Sequence, residues 1–362
     1  MIGRWLGAAF VVCFVTGLFS HTLQDPPGWL RDHLPSRPVN GYRVTQGLHV
    51  ISGIAAIPLL GAKLWTVYPR LFAWPPAKSV LQALERLGIV LLVGSALLEV
   101  FTGLLNTLQW YPWPFPFRQT HFWLAWIAIG GLLLHIGAKW PEIGANWRRV
   151  RAEAGAAAGS GAGPAVVPGR RAFLGGVALS VLTVTLVTAG QTVPWLRRLD
   201  LLAPRRPDIG PQGLPVNRTA QAAGTERVSG ADWRLVVAGP RPYTLTLAEL
   251  AALPQHTARL PISCVEGWSA SAQWTGVRVR DLLARAGADG SARVRVVSLD
   301  QGGAYGVTEM EASYVRDPLT LLALRVNGEV LAADHGYPAR IIAPNRPGVL
   351  QTKWVSRLEV IA

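Results

Sequence analysis

Three groups of residues in this sequence have types and spacings suited to chemistry. The first is Cys264 in LPISCVEGWSASAQW, where it follows an apolar run and precedes Gly267. A side chain so placed can point into a cleft, and its soft thiolate suits a high-valent metal already bound by sulfur. Read alone, a single cysteine is more often an inert buried residue. The second group is His21, His49, His121 and His135, all in or beside apolar blocks. His135 follows His121 by fourteen residues, which at about 100° per residue returns to nearly the same helix face roughly 21 Å deeper. Such imidazoles are metal ligands or packing and interfacial residues. The third is the pair Arg170–Arg171 in GRRAFLGGVALSVLTVTLVTAG, which has the form of an export signal yet starts almost halfway along the chain.

The elements that must position these residues are of two kinds. Half of the 362 residues are hydrophobic and 15% are charged. The apolar residues form long blocks before about residue 195 and short interrupted runs after it. Blocks of about 20 apolar residues predict membrane spans at Trp5–Ser20, Gly47–Tyr68, Leu87–Leu108, His121–Ala138 and Ala172–Trp195, with Trp and Tyr gathered at their ends as interfacial belts require. The net charge of +14 does not indicate nucleic acid, because the basic residues flank apolar blocks and do not line one polar face. Two cysteines are too few for a disulfide framework, an iron–sulfur cluster or a zinc ribbon.

Orientation follows from Lys and Arg. Arg4, Arg70, Lys78, Lys139, Arg148, Arg149, Arg151, Arg170 and Arg171 fall on the side of the N-terminus; Arg31, Arg37, Arg43 and Arg118 fall on the other. Nine against four puts the N-terminus in the cytoplasm, and an odd number of spans puts everything after Trp195 outside. AEAGAAAGSGAGPAVVPG (152–169) reads as a flexible linker. Beyond it, WRLVVAG, ARVRVVSLD, LLALRVNGEVL and ARIIAPN read as strands. TLTLAELAAL reads as a strand leading into a helix, and VRVRDLLARAG as a helix ending at Gly287. This mixture predicts one compact α+β domain.

LPISCVEGWSASAQWTGVRVRDLLARAG, with a strand ending in Cys, a Gly-Trp turn, Trp-x-Gly-Val and a helix, resembles the molybdopterin-binding core of the sulfite oxidase family. LLALRVNGEVLAADHGYPARIIAPNRPGVLQTKWVSRLEV adds Asn-Gly-x-x-Leu, His-Gly-Tyr-Pro-x-Arg and a late Lys-Trp. The resemblance covers roughly residues 212–362, with several motifs in the right order. It implies that Cys264 is the catalytic molybdenum ligand. It also implies that Asn217, Asp300, His335, Arg340, Gln351, Thr352 and Lys353 bind molybdopterin, whose terminal phosphate needs cationic and amide donors. There are departures: Arg218 stands where the family has a histidine after Asn217, Val236 where a substrate arginine is expected, and the chain stops at Ala362. The cofactor frame is kept while the sulfite pocket is not.

The same resemblance implies that the cofactor is inserted in the cytoplasm, so the domain folds before it crosses. RRAFL resembles the twin-arginine signal, whose machinery passes folded domains, with the fifth helix kept as an anchor. Simple positive-inside flanking is the alternative reading of the two arginines. The histidine spacing resembles four-helix membrane b-type cytochromes. One haem held by His49 and His121 fits at equal depth on the outer side, while His135 lacks an inner partner. Glu99, expensive in lipid, must face the bundle.

The reading is therefore an α-helical membrane bundle of five spans followed by an α+β sulfite oxidase-like domain. Residues 1–150 form the four-helix membrane domain, 151–171 a cytoplasmic linker with the twin arginine, 172–195 the fifth span, and 205–362 the molybdopterin domain. The expected function is a membrane-anchored molybdenum-dependent oxidoreductase acting on a small-molecule substrate. Its expected partners are membrane lipid, a quinone or other redox carrier and the twin-arginine export machinery, with no nucleic acid. The rivals are the same enzyme with a haem-free anchor, and a ligand- or partner-binding domain that kept the fold without turnover.

Overall fold

Every second residue of Arg293–Ser298 is buried, as alternation in ARVRVVSLD requires of a strand covered on one face. A computed structural model describes residues 2–72, 74, 79–160, 168–300 and 302–361. Its five long helices are α1 (Ile2–Gln24), α2 (Gly41–Leu71), α3 (Val80–Thr107), α4 (Phe117–Ser160) and α5 (Pro168–Ala189). All five are long and apolar enough to cross a membrane, so the chain is a multi-pass membrane protein. Most helices outrun the spans read from the sequence, because an apolar block marks the hydrocarbon slab and not the helix length. Helix α4 runs on to Ser160. This corrects the reading of 152–169 as irregular linker over its first part: alanine is the strongest helix former, and its abundance there carries the helix forward. Residues 161–167 lie outside the described residues.

The chain divides into two compact units. The first comprises residues up to Val15 together with His49–Val187. Leu6, Ala56, Leu59, Leu60 and Ala96 form its buried cluster, and Phe14 meets Trp126 edge-on at 5.0 Å.

The second unit comprises Thr16–Leu48 and Thr188–Ala362. One sheet has the order β2 (Tyr243–Thr246), β1 (Arg234–Ala238), β10 (Val355–Ile361), β5 (Arg293–Ser298), β6 (Val307–Met310), with only β1 and β10 parallel. The other runs β3 (His256–Ser263), β4 (Ser269–Arg278), β7 (Leu321–Val326), β8 (Glu329–Val330), with β9 (Arg340–Ile342) also pairing β7. The helix after β2, α6 (Leu247–Ala252), opens on a capping box between Thr246 and Glu249. Helix α7 (Val279–Arg285) stops before Gly287, whose φ is +80°. This is the expected α+β domain. Trp274, fully buried among Leu260, Leu321 and Val326, anchors the second sheet.

The domain boundary differs from residue 205. Leu23, Leu34 and Tyr42 belong to the same buried cluster as Leu235, Val296 and Leu358. The segment between α1 and α2 is a strap tied to the domain at several points. Arg37 donates twice to Asp317, at 2.8 and 2.9 Å. Asn345 accepts from the Tyr42 N–H at 2.6 Å, donates its amide to the Pro35 carbonyl at 2.7 Å, and gives its own N–H to Val39 at 3.1 Å. The left-handed backbone of Asn345 (φ +55°) is one that asparagine tolerates.

Candidate functional site

Strands β3 and β4 are joined by the tight turn that carries Cys264. The Cys264 N–H donates to the Trp268 carbonyl at 2.9 Å and the Gly267 N–H returns to the Cys264 carbonyl at 3.1 Å. Gly267 has φ +101°, a conformation that side chains rarely adopt. The thiol is 2% exposed, and the Asn217 amide donates to its sulfur at 2.6 Å. Burial first, and then the Glu266 carboxylate, push the thiol well above its ordinary range; N–H groups of Glu266 and Val265 and the Asn217 amide act the other way. Such a sulfur keeps its proton until a metal cation displaces it.

All eight residues assigned to the cofactor from the sequence, Cys264, Asn217, Asp300, His335, Arg340, Gln351, Thr352 and Lys353, line one cavity of about 200 Å³. The cavity is rich in cations. Arg340 is 1% exposed; its terminal nitrogens donate to the carbonyls of His335 and Gln351, its plane lies over Trp274, and its buried Nε has no partner among the described residues. Burial holds its guanidinium down at about 10. The Lys353 ammonium donates to the carbonyls of Arg218 and Asp334, at 2.8 and 2.7 Å. Gly336, at φ +106°, lets the two basic residues close up: a Cβ there would meet Lys353 and Arg340 side chains. His335 Nε2 lies 2.6 Å from the Pro211 carbonyl. A carbonyl only accepts, so Nε2 carries the hydrogen. Burial brings this imidazole down to about 4, against the Pro211 bond and aided by Arg340 and Lys353, and Nδ1 is left as an acceptor.

Sequence reasoning gave Arg218 only as a departure from the family. It forms a bidentate pair with Asp300, at 2.6 and 2.9 Å, and lines the same cavity. Trp268 was missed as a site residue; its indole N–H reaches both Asn217 and Glu266. Val236 lies on β1 in the other sheet, outside the cavity lining.

Buried cations with an orphaned Nε fit an anionic ligand, and the thiol beside them fits a metal, which together are what molybdopterin presents. One pH dependence follows. Burial, then Arg340, lowers Lys353 to about 7, with Arg218 acting the same way and Asp334 and Cys264 opposing. An anion binds the protonated form, so affinity is full below about 7 and falls as the pH rises above it. Pterin retained by the purified chain after washing is expected to drop between pH 6.5 and 9. Lys353→Met should retain less at pH 6.5 and lose the dependence; a wild-type pH profile in that variant contradicts the assignment.

In the first unit, His49 and His121 have ring centroids 6.2 Å apart. His49 Nδ1 lies 2.8 Å from the Cys13 carbonyl and His121 Nδ1 3.0 Å from the Thr102 hydroxyl, which itself donates to Leu98. Both Nδ1 atoms therefore carry hydrogens. Glu99 lies 3.1 Å from His121 Nε2. No group of three or more His, Cys, Asp or Glu side chains among the described residues is arranged to hold a metal ion.

A buried thiol beside buried cations on an α+β scaffold, joined to five apolar helices, fits a membrane-attached oxidoreductase of the pterin-cofactor class. Residues 222–362 match the oxidoreductase molybdopterin binding domain family. The chain is 31% identical over 218 residues to the putative protein-methionine-sulfoxide reductase subunit YedZ1 of Azospira oryzae, covering 54% of this chain and 81% of that one. It is 30% identical over 149 residues to mouse mitochondrial sulfite oxidase, covering 34% of this chain and 27% of that enzyme. Sulfane dehydrogenase SoxCD from Paracoccus pantotrophus matches at 25% identity with a TM-score of 0.35, over 42% of this chain and 43% of that one. The chain belongs to the family of molybdopterin-binding oxidoreductases, molybdenum-dependent enzymes.

Proposed function

We propose that the catalytic domain lies outside the cytoplasm, carries molybdenum on Cys264 and exchanges electrons with a membrane or soluble carrier. The observation that carries this reading is the convergence of eight residues from distant motifs on one cavity around Cys264. When bound, the molybdenum cofactor supplies two-electron oxygen-atom chemistry. Arg340, Lys353, Gln351 and Thr352 hold the anionic end, His335 orients the pterin through Nδ1, and Asn217 donates to the sulfur. Asp300 fixes Arg218. Among the described lining residues, Arg218 is tied to Asp300 and the other two cations are given to the cofactor, which leaves no further Lys or Arg for a doubly charged substrate. A neutral oxide, such as the sulfoxide named in one relative, therefore suits the pocket better than sulfite.

The location rests on two supports. The strap and the domain form one unit, so they share a side of the membrane, and the distribution of Lys and Arg puts the strap outside. His49 and His121 would hold one haem, which would supply one-electron transfer to or from the carrier. Glu99, 3.1 Å from His121 Nε2, is the carboxyl that would relay a proton to a quinol.

The full chain, purified in detergent, tests this. It should contain molybdenum and pterin, reduce a dialkyl sulfoxide faster than it oxidises sulfite, and show the sharp reduced bands of low-spin haem. His49→Ala and His121→Ala should each remove those bands; His21→Ala and His135→Ala should leave them. Protein without metal and pterin sinks the enzyme reading, and protein with both but without haem reduces α1–α4 to an anchor.

A further inference from the structure

The turn that carries Cys264 is held from behind by side chains at the ends of membrane helices. Gln46, in the first two turns of α2, donates its amide to the Val265 carbonyl at 2.9 Å. Gln191, just past the end of α5, donates to the Glu266 carbonyl at 2.9 Å. Its neighbour Thr192 gives its hydroxyl hydrogen to the Gly267 carbonyl at 2.6 Å. Three consecutive carbonyls each receive one side-chain donor. The Gln191 carbonyl in turn accepts the Ser269 N–H at 2.8 Å, which closes the arrangement. Gln46, Gln191 and Thr192 are all buried, so water cannot readily replace these bonds.

The direction of these bonds matters because a trans peptide holds its C=O and N–H on opposite sides. The Val265 carbonyl shares a peptide with the Glu266 N–H. That N–H and the Val265 N–H both favour the charged form of the Cys264 sulfur, beside the Asn217 amide that donates to it. Anchoring the carbonyl on Gln46 therefore aims the hydrogen of the same peptide at the sulfur. Hydrogen bonds to a ligating sulfur decide how much charge it gives its metal.

We propose that Gln46, Gln191 and Thr192 are positioning residues for the metal centre: they clamp the carbonyls of the Val265–Gly267 turn and so fix the N–H bonds to the Cys264 sulfur. The proposal rests on the reading of Cys264 as the molybdenum ligand. It makes two helix ends part of the metal site, although none of the three side chains touches the sulfur.

The test uses the full chain in detergent. Gln46→Met and Thr192→Val keep side-chain size and delete the donor; Thr192→Ser keeps the hydroxyl. Molybdenum content, the paramagnetic resonance spectrum of the half-reduced metal, kcat and KM are measured for each. Gln46→Met and Thr192→Val are expected to keep molybdenum, shift the resonance and lower kcat roughly tenfold, at the low end of the 10–100-fold range for residues behind a metal ligand. KM should stay unchanged and Thr192→Ser should match the wild type. A metal-loaded Gln46→Met with the wild-type spectrum overturns the proposal. Should Gln46→Met lose molybdenum, deuterium exchange at the amides of Val265–Gly267 decides, compared with metal-free wild type. Faster exchange confined to the turn upholds the clamp, and unchanged exchange overturns it. Cys264→Ser separates the underlying reading: a wild-type resonance in that variant removes Cys264 as the ligand, whatever the clamp variants show.

Discussion

Cys264→Ser is expected to abolish turnover while leaving most of the pterin in place. Serine is the same shape, but its oxygen is a hard donor where the metal centre needs a soft one. The loss should exceed the roughly 10–100-fold typical of residues one layer behind a ligand. On the proposed assignment the pterin stays because its anionic end would be held elsewhere in the cavity, by Arg340 and Lys353, which carbonyls of His335, Gln351, Arg218 and Asp334 hold in place. Steady-state rates and pterin fluorescence after acid release, measured on the same preparation, check both halves. Undiminished turnover removes Cys264 from the metal; pterin lost along with the rate would mean that the thiolate, and not the cationic wall, secures the cofactor.

Arg170→Lys combined with Arg171→Lys is expected to strand the catalytic domain in the cytoplasm, an all-or-none effect on location. Both arginines are exposed at the start of α5, so neither change disturbs packing. Lysine keeps the positive charge that orients a span, and a purely electrostatic role predicts normal topology. Protease added to intact spheroplasts should cut the domain in the wild type and spare it in the double variant. Cleavage in both excludes the twin-arginine route.

How much could be read from the sequence depends on how far apart the interacting residues lie. Cys264, His335, Arg340 and Lys353 sit in short blocks with their own local order, and the cavity brings those blocks together. The five helices were legible because hydropathy acts over one continuous stretch. The strap was not. Arg37 and Asp317 are 280 positions apart, and Tyr42 and Asn345 are 303 apart; nothing near Arg37 or Tyr42 distinguishes them from ordinary residues of an outer loop. Gln46, Gln191 and Thr192 were passed over for a similar reason, since polar residues at the ends of a span usually face water or headgroups. The Ala/Gly stretch failed differently: low complexity suggested irregular chain, while the helix propensity of alanine carried α4 to Ser160.

The strap also bears on the order of assembly. If the domain crosses the membrane already folded, it arrives without Leu23, Leu34 and Tyr42, which complete its buried cluster. Burying such side chains is worth about 1.5–3 kcal/mol each, a large share of the roughly 5–15 kcal/mol by which a domain is stable. On that route the newly delivered domain would be an unfinished body with a greasy slot, and the missing side chains would wait at the end of α1, on the strap and at the start of α2. Arrival and completion become one event. On that route a domain sent elsewhere would lack its last core residues, so the strap would check delivery as well as complete the core.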